Sequence, residues 1–118
     1  MKVSELTKDQ LNHWTAKAQG WKVRKSNSSS KGFYRYYKKG AGELPSVDMY
    51  RPSTDKAQAM DLVMMNEMKT GRMQGSSPLF LMHWAQVYNS LTMTGDTPMI
   101  AICRAKIVSV YGEEVPDA

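Results

Sequence analysis

The chain has 118 residues, 42% of them hydrophobic and 23% charged, which suits one globular domain with one core and leaves too little for two. It carries no apolar run of about 18 residues and no leader-like start at Met1, so neither a membrane span nor a secretory signal is expected, and the cytoplasm is the default compartment. The net charge of +5 is unevenly held: eight of the sixteen basic residues (Lys17, Lys22, Arg24, Lys25, Lys31, Arg35, Lys38, Lys39) lie between Gln10 and Gly42, a stretch without Asp or Glu, and such asymmetry speaks to partners rather than to fold.

The first helix is predicted over residues 8–19. Thr7 and Gln10 have the spacing of a capping box, Leu6 and Leu11 that of a hydrophobic staple, and Gly20 supplies the stop. Leu11, Trp14 and Ala18 then share one face. Residues 21–25 alternate apolar and basic, residues 26–32 form a Ser-rich turn, and residues 33–38 return to aromatic, β-type composition, which together read as a basic, aromatic hairpin. Residues 39–48 read as a loop. After Pro52, any of Ser53, Thr54 or Asp55 can cap a second helix, expected over residues 55–69 and rich in methionine. Met60, Leu62, Val63, Met64, Met65 and Met68 cover more of its circumference than one contact surface needs. Gly71 and Gly75 bracket an expected loose link to a strand over residues 80–88.

The organising element is the last helix. Thr97 caps it, Pro98 suits its first turn and Gly112 ends it. Met99, Ile100, Cys103, Ile107, Val110 and Tyr111 fall on one face, while Ala101, Ala105 and Val108 fall on a second, the pattern of a core helix. Cys103 is the sole cysteine, so no internal disulfide forms, and its place in that helix argues for a buried, inert thiol. Residues 113–117 read as a short acidic tail.

Three segments resemble the NinX-like family of small proteins from tailed, mostly temperate bacteriophages. They are Met1-Lys2-Val3-Ser4-Glu5-Leu6-Thr7 with Trp14-Thr15-Ala16-Lys17-Ala18, then Pro52-Ser53-Thr54-Asp55 with Ala57-Gln58, then Gly95-Asp96-Thr97-Pro98 through Arg104 to Tyr111-Gly112-Glu113-Glu114-Val115-Pro116. The chain departs from the family pattern at Lys56 and at Ala59-Met60, where a tryptophan and paired glycines are usual. The resemblance implies a phage accessory protein acting in the cytoplasm of the infected bacterial host.

Two helix starts, Ser53-Thr54-Asp55 and Gly95-Asp96-Thr97, offer backbone N–H groups and the positive ends of helix dipoles; if they converge beside Arg51 and Arg104 they make a phosphate site, and if not they are ordinary caps. Arg104, among Ile100, Val108 and Tyr111, either stretches to solvent or meets a fixed anion. Tyr36, with Phe33, Tyr34 and Tyr37 among Arg35, Lys38 and Lys39, can stack bases beside phosphate contacts or turn an aromatic face to the core, and the same two readings apply to Trp84 and Trp21. His13 and His83 lack ligands at metal spacing, and no nucleophile, base and orienter cluster together, so neither a metal nor a cofactor nor an enzyme is expected.

The expected fold is therefore α+β in a single domain: a small antiparallel sheet from residues 21–25, 33–38 and 80–88 against helices beginning near Lys8, Asp55 and Pro98. The expected function is non-enzymatic binding of a small anionic, nucleotide-derived ligand, such as a host immune signal sequestered to blunt anti-phage defence. The rival readings are a nucleic-acid-binding accessory of phage recombination or transcription, acting through the basic 17–39 segment, and an inhibitor that docks on a host protein. The methionine-rich helix predicts a homo-oligomer, with Met60, Met64 or Met68 across a two-fold interface.

Overall fold

Each helix begins where a side chain is placed to receive its first free N–H. In the computed structural model, which describes residues 1–20, 22–25, 34–37, 50–74 and 81–116, α1 spans Lys8–Ala18, α2 Lys56–Met65 and α3 Pro98–Tyr111. Thr7 Oγ1 accepts from the Gln10 amide at 3.3 Å while Gln10 Oε1 accepts from the Thr7 amide at 2.9 Å, the full capping box. Asp55 Oδ1 accepts from Gln58 N at 3.1 Å and Thr97 Oγ1 from Ile100 N at 3.2 Å. Gly20, just past α1, and Gly112, just past α3, stand at φ 79° and 83°, where a Cβ would be strained, so the two helices stop there.

The α+β architecture is as expected, but the strands divide differently. β1 (Lys22–Lys25) pairs with β2 (Tyr34–Tyr37) in a two-stranded antiparallel ribbon, while β3 (Lys69–Gln74), β4 (Leu81–Gln86) and β5 (Met93–Gly95) form a separate antiparallel sheet in the order β3-β4-β5. The predicted 80–88 strand thus exists as β4, paired not with the hairpin but with two strands that periodicity did not reveal. One of them replaces the expected loose link after α2. Helix α2 ends at Met65 rather than at Lys69 because Asn66 turns back on it: both its backbone N–H (3.1 Å) and its Nδ2 (2.7 Å) donate to Leu62 O. Glu67 follows in the left-handed region at φ 49°, and the chain reverses into β3. Lys106 of α3 secures that end, its Nζ donating to Asn66 Oδ1 at 2.8 Å, and burial pushes its pKa below the usual lysine range.

Helix α3 lies between two apolar clusters, as expected of a helix apolar on two sides, although Val108, expected on the second face, joins the first cluster and Met99, expected on the first, packs against the second. One gathers Val3, Leu6, Leu11, Trp14, Ile100, Cys103, Ile107, Val108 and Val115; the other gathers Ala59, Leu62, Met68, Ala85, Ala101, Ile102 and Ala105. Burial pushes the Cys103 thiol up to about 12. The Thr15 hydroxyl beside it offsets this in part; its contact with the thiol is the weak sulfur kind, and that hydroxyl has no partner of ordinary hydrogen-bond geometry. Val110 and Tyr111, expected on the inner face, are exposed, although the Tyr111 ring still meets Trp14 edge to face at a centroid distance of 5.4 Å.

The expected acidic tail is not a tail. Val3 N donates to Glu113 O and Val115 N to Met1 O, both at 2.9 Å, Lys2 bridges Glu114, and Val115 is buried in the first cluster. Alternation hides this pairing: one apolar residue among acidic ones gives no strand signal until a partner strand lies beside it.

Candidate functional site

The turn over residues 51–55 is wound so tightly that its donors are already engaged. Ser53 N donates to Asn12 Oδ1 at 3.0 Å and Ser53 Oγ to Lys8 O at 3.3 Å, which buries Ser53 against α1. Thr54 N and Asp55 N both donate to Arg51 O, at 3.0 and 2.7 Å, and the Thr54 hydroxyl reaches the same oxygen at 3.5 Å. Arg51 N donates in turn to Gln58 Oε1. At the other helix start Pro98 has no N–H, Thr97 holds Ile100 N, and Ala101 N donates to Thr97 O at 3.2 Å, which leaves Met99 N for an outside acceptor. Asp96 stands exposed between β5 and α3. Each bond at these two starts serves a cap or a turn.

Arg104 is engaged by backbone: Nη1 donates to Thr94 O at 2.7 Å, partly buried, and Nη2 to Ser4 O at 3.1 Å on the exposed side. It therefore ties β5 to the 3-10 turn at Val3–Glu5, with Nε buried and unpartnered. A fork of donors matches two carbonyls as well as it matches a carboxylate, and nothing in the residues around position 104 along the chain foretells which.

Among the described residues, Trp84 is the sequence-selected aromatic, and the fold leaves it half-buried. Ala85 is fully buried against α3, and successive strand residues alternate, so Trp84 stands on the opposite face of the β3-β4-β5 sheet. Its cross-strand partners are Gly71 and Thr94. The indole lies over Gly71: a Cβ built there would come within 2.7 Å of Cε2 and Nε1 and 2.8 Å of Cζ2. The indole thus occupies the space a side chain at position 71 would take, while Trp84 as a whole remains half-buried. Lys69, two residues before Gly71 and exposed, shares that face opposite Gln86. Gln86 Nε2 donates to Ser90 O at 2.9 Å and holds the β4-β5 turn, where Asn89 takes φ 58°.

No family model matches this chain, and neither does any curated protein.

Lys69 and Gly71 were missed by sequence reasoning, which ran the helix through the first and put the second in a loop. A glycine placed opposite a tryptophan is a signal that exists only once the register is known, because the two are far apart along the chain. Tyr36 stands in β2 opposite Val23, its side chain outside what is described; Trp21, Phe33 and the 39–48 loop lie outside the described residues altogether. Among the described residues no three His, Cys, Asp or Glu side chains gather to hold a metal ion, and no helix is long and apolar enough to cross a membrane. Burial, aided by the neighbouring Lys17, lowers the pKa of His13.

Proposed function

We propose that this chain is a non-enzymatic accessory protein of a bacteriophage, acting in the cytoplasm of the infected host, that binds a small nucleotide-derived anion and by sequestering it counters host defence. The observation that carries the binding reading is the Trp84 indole seated over Gly71 on the sheet face away from α3. A planar base gains about 1–3 kcal/mol by stacking on such a ring. Lys69 on the same face supplies a cation for the phosphate, roughly two strand residues, or about 7 Å, along from the point where the ring sits. Residues 53–55, whose donors serve the turn and α1, and Thr97, whose oxygens accept from Ile100 N and Ala101 N, then position the scaffold rather than the ligand.

A thermal-shift panel of nucleoside monophosphates, cyclic dinucleotides and ADP-ribose derivatives tests this. One compound should raise the melting temperature, and Trp84→Ala should weaken its binding by about 5- to 150-fold, the equivalent of one lost stack, with Trp84→Phe intermediate. A panel without a shift, or a Trp84→Ala variant that binds like the parent, would remove the platform.

The same reading includes a homo-dimer. Met60, Met64 and Met65 stand 53%, 76% and 66% exposed on α2, beside Ala57 on the same outer side. Met68, expected to share that surface, is buried inside the protomer against Ala85 and Ile102. Adaptable thioether chains on an unpartnered helix face suit a two-fold contact with a second copy. Light scattering at tens of micromolar, on the order of common interface strengths, should return a dimer mass that falls to monomer in Met64→Glu; a monomer mass at every concentration would sink the dimer.

A further inference from the structure

The Gln86 amide is oriented by a group that can only accept. Its Nε2 donates to Ser90 O at 2.9 Å, and a backbone carbonyl offers no proton, so the amide presents its nitrogen there and directs Oε1 elsewhere. Ser90 is itself held: Ser90 N donates to Val87 O at 2.9 Å, and Asn89 between them stands at φ 58°. The half-buried Gln86 thus carries a hydrogen-bond acceptor in a set direction.

The place of that acceptor decides what it reads. Gln86 lies two residues beyond Trp84 in β4, so alternation puts both on the sheet face away from α3, about 7 Å apart. Lys69 is directly opposite Gln86 in β3 and is exposed. Along this face the indole comes first, and the amide and the ammonium follow side by side. A nucleotide runs from base through ribose to phosphate. A base stacked on Trp84 with its phosphate at Lys69 therefore brings its sugar, rather than the edge of the base, to Gln86. Ribose hydroxyls donate, and Oε1 accepts. The 3′-hydroxyl is esterified in a 3′,5′-linked cyclic dinucleotide, which leaves the 2′-hydroxyl as the donor shared by the whole ligand class.

We infer that Gln86 Oε1 accepts a hydrogen bond from the ribose 2′-hydroxyl of the bound nucleotide, so that the site takes ribonucleotides in preference to their 2′-deoxy counterparts. This rests on the Trp84 platform proposed above. The 2′-hydroxyl is the group by which a protein tells the two sugars apart, and a deoxy ligand leaves the fixed acceptor without its partner.

The test is isothermal titration of the full chain with adenosine and guanosine 5′-monophosphates and with the cyclic dinucleotides of adenine and guanine, each beside its 2′-deoxy counterpart. In the parent a ribo form should bind about 2- to 12-fold tighter than its deoxy form, the worth of one neutral hydrogen bond. Gln86→Met removes the acceptor and should bring that ratio to about one. Gln86→Glu keeps an acceptor but forfeits the bond to Ser90 O, so it should melt lower than the parent and still prefer the ribo form. A residue that only held the turn would lower the melting temperature in both variants and leave the ratio at its parental value in both. Trp84→Ala should weaken ribo and deoxy forms alike, which separates loss of the stack from loss of the sugar contact. Equal binding of the two sugars by the parent, or an unchanged preference in Gln86→Met, would overturn the assignment and leave the platform standing. If none of these compounds binds, the platform and the assignment fall together.

Discussion

Gly95→Val is expected to destabilise the protein by about 3 kcal/mol, a fall in melting temperature on the order of 10 °C. Gly95 is the last residue of β5 and is buried where the sheet meets the first turn of α3. A Cβ there would stand 2.8 Å from Ala101 N and 2.9 Å from Ile100 Cγ2. The nearer atom is helix backbone, which cannot rotate away, so β5 and α3 must separate to make room. Gly95→Ala gains about 0.4–1 kcal/mol from a stiffer unfolded chain, and the overlap, typically about 1–3 kcal/mol, outweighs it. Gly71→Ala is the informative contrast. The nearest atoms to its added methyl are those of the Trp84 indole, a side chain that can swing aside, so the stability loss should be smaller while tryptophan emission changes. Urea unfolding of the three variants checks the order; a Gly95→Val protein as stable as the parent would show that the β5-α3 contact is looser than described.

Arg104→Ala is expected to cost about 2–3 kcal/mol, through hydrogen bonds rather than charge. The bond to Thr94 O is short, at 2.7 Å, and partly buried, so its loss leaves a carbonyl that water reaches poorly. The bond to Ser4 O is longer, at 3.1 Å, and exposed, so water replaces it at little cost. Arg104→Lys, which keeps the charge but loses the fork, should recover part of the loss. Because the guanidinium is committed to these carbonyls, Arg104→Ala should leave any nucleotide-induced shift intact. A variant of parental stability that had lost that shift would return Arg104 to a ligand site.

The starts of α1 and α3, the stops at Gly20 and Gly112, and the start of α2 to within the three candidates Ser53, Thr54 and Asp55 were legible in the amino-acid sequence because each depends on residues within one turn of one another. Thr7 and Gln10, Asp55 and Gln58, Thr97 and Ile100, and the glycines at 20 and 112 behave in the fold as their local chemistry dictates. The two-sided apolar pattern of α3 likewise foretold its place between two clusters, since periodicity is a property of the element alone. Five features were decided only by tertiary structure. α2 stops at Met65 because Asn66, held by Lys106 from another helix, folds back on Leu62. Residues 69–74 become a strand because β4 lies beside them, and Val115 is buried because Val3 and Met1 pair with its segment. Arg104 takes carbonyls from Thr94 and Ser4, the latter a hundred residues away. Trp84 finds its seat on Gly71 through register alone. Caps and periods are local and can be read along the chain, whereas strand pairing, the end of a helix under competing contacts and the partner of a long polar side chain are settled by residues distant in sequence and close only after folding.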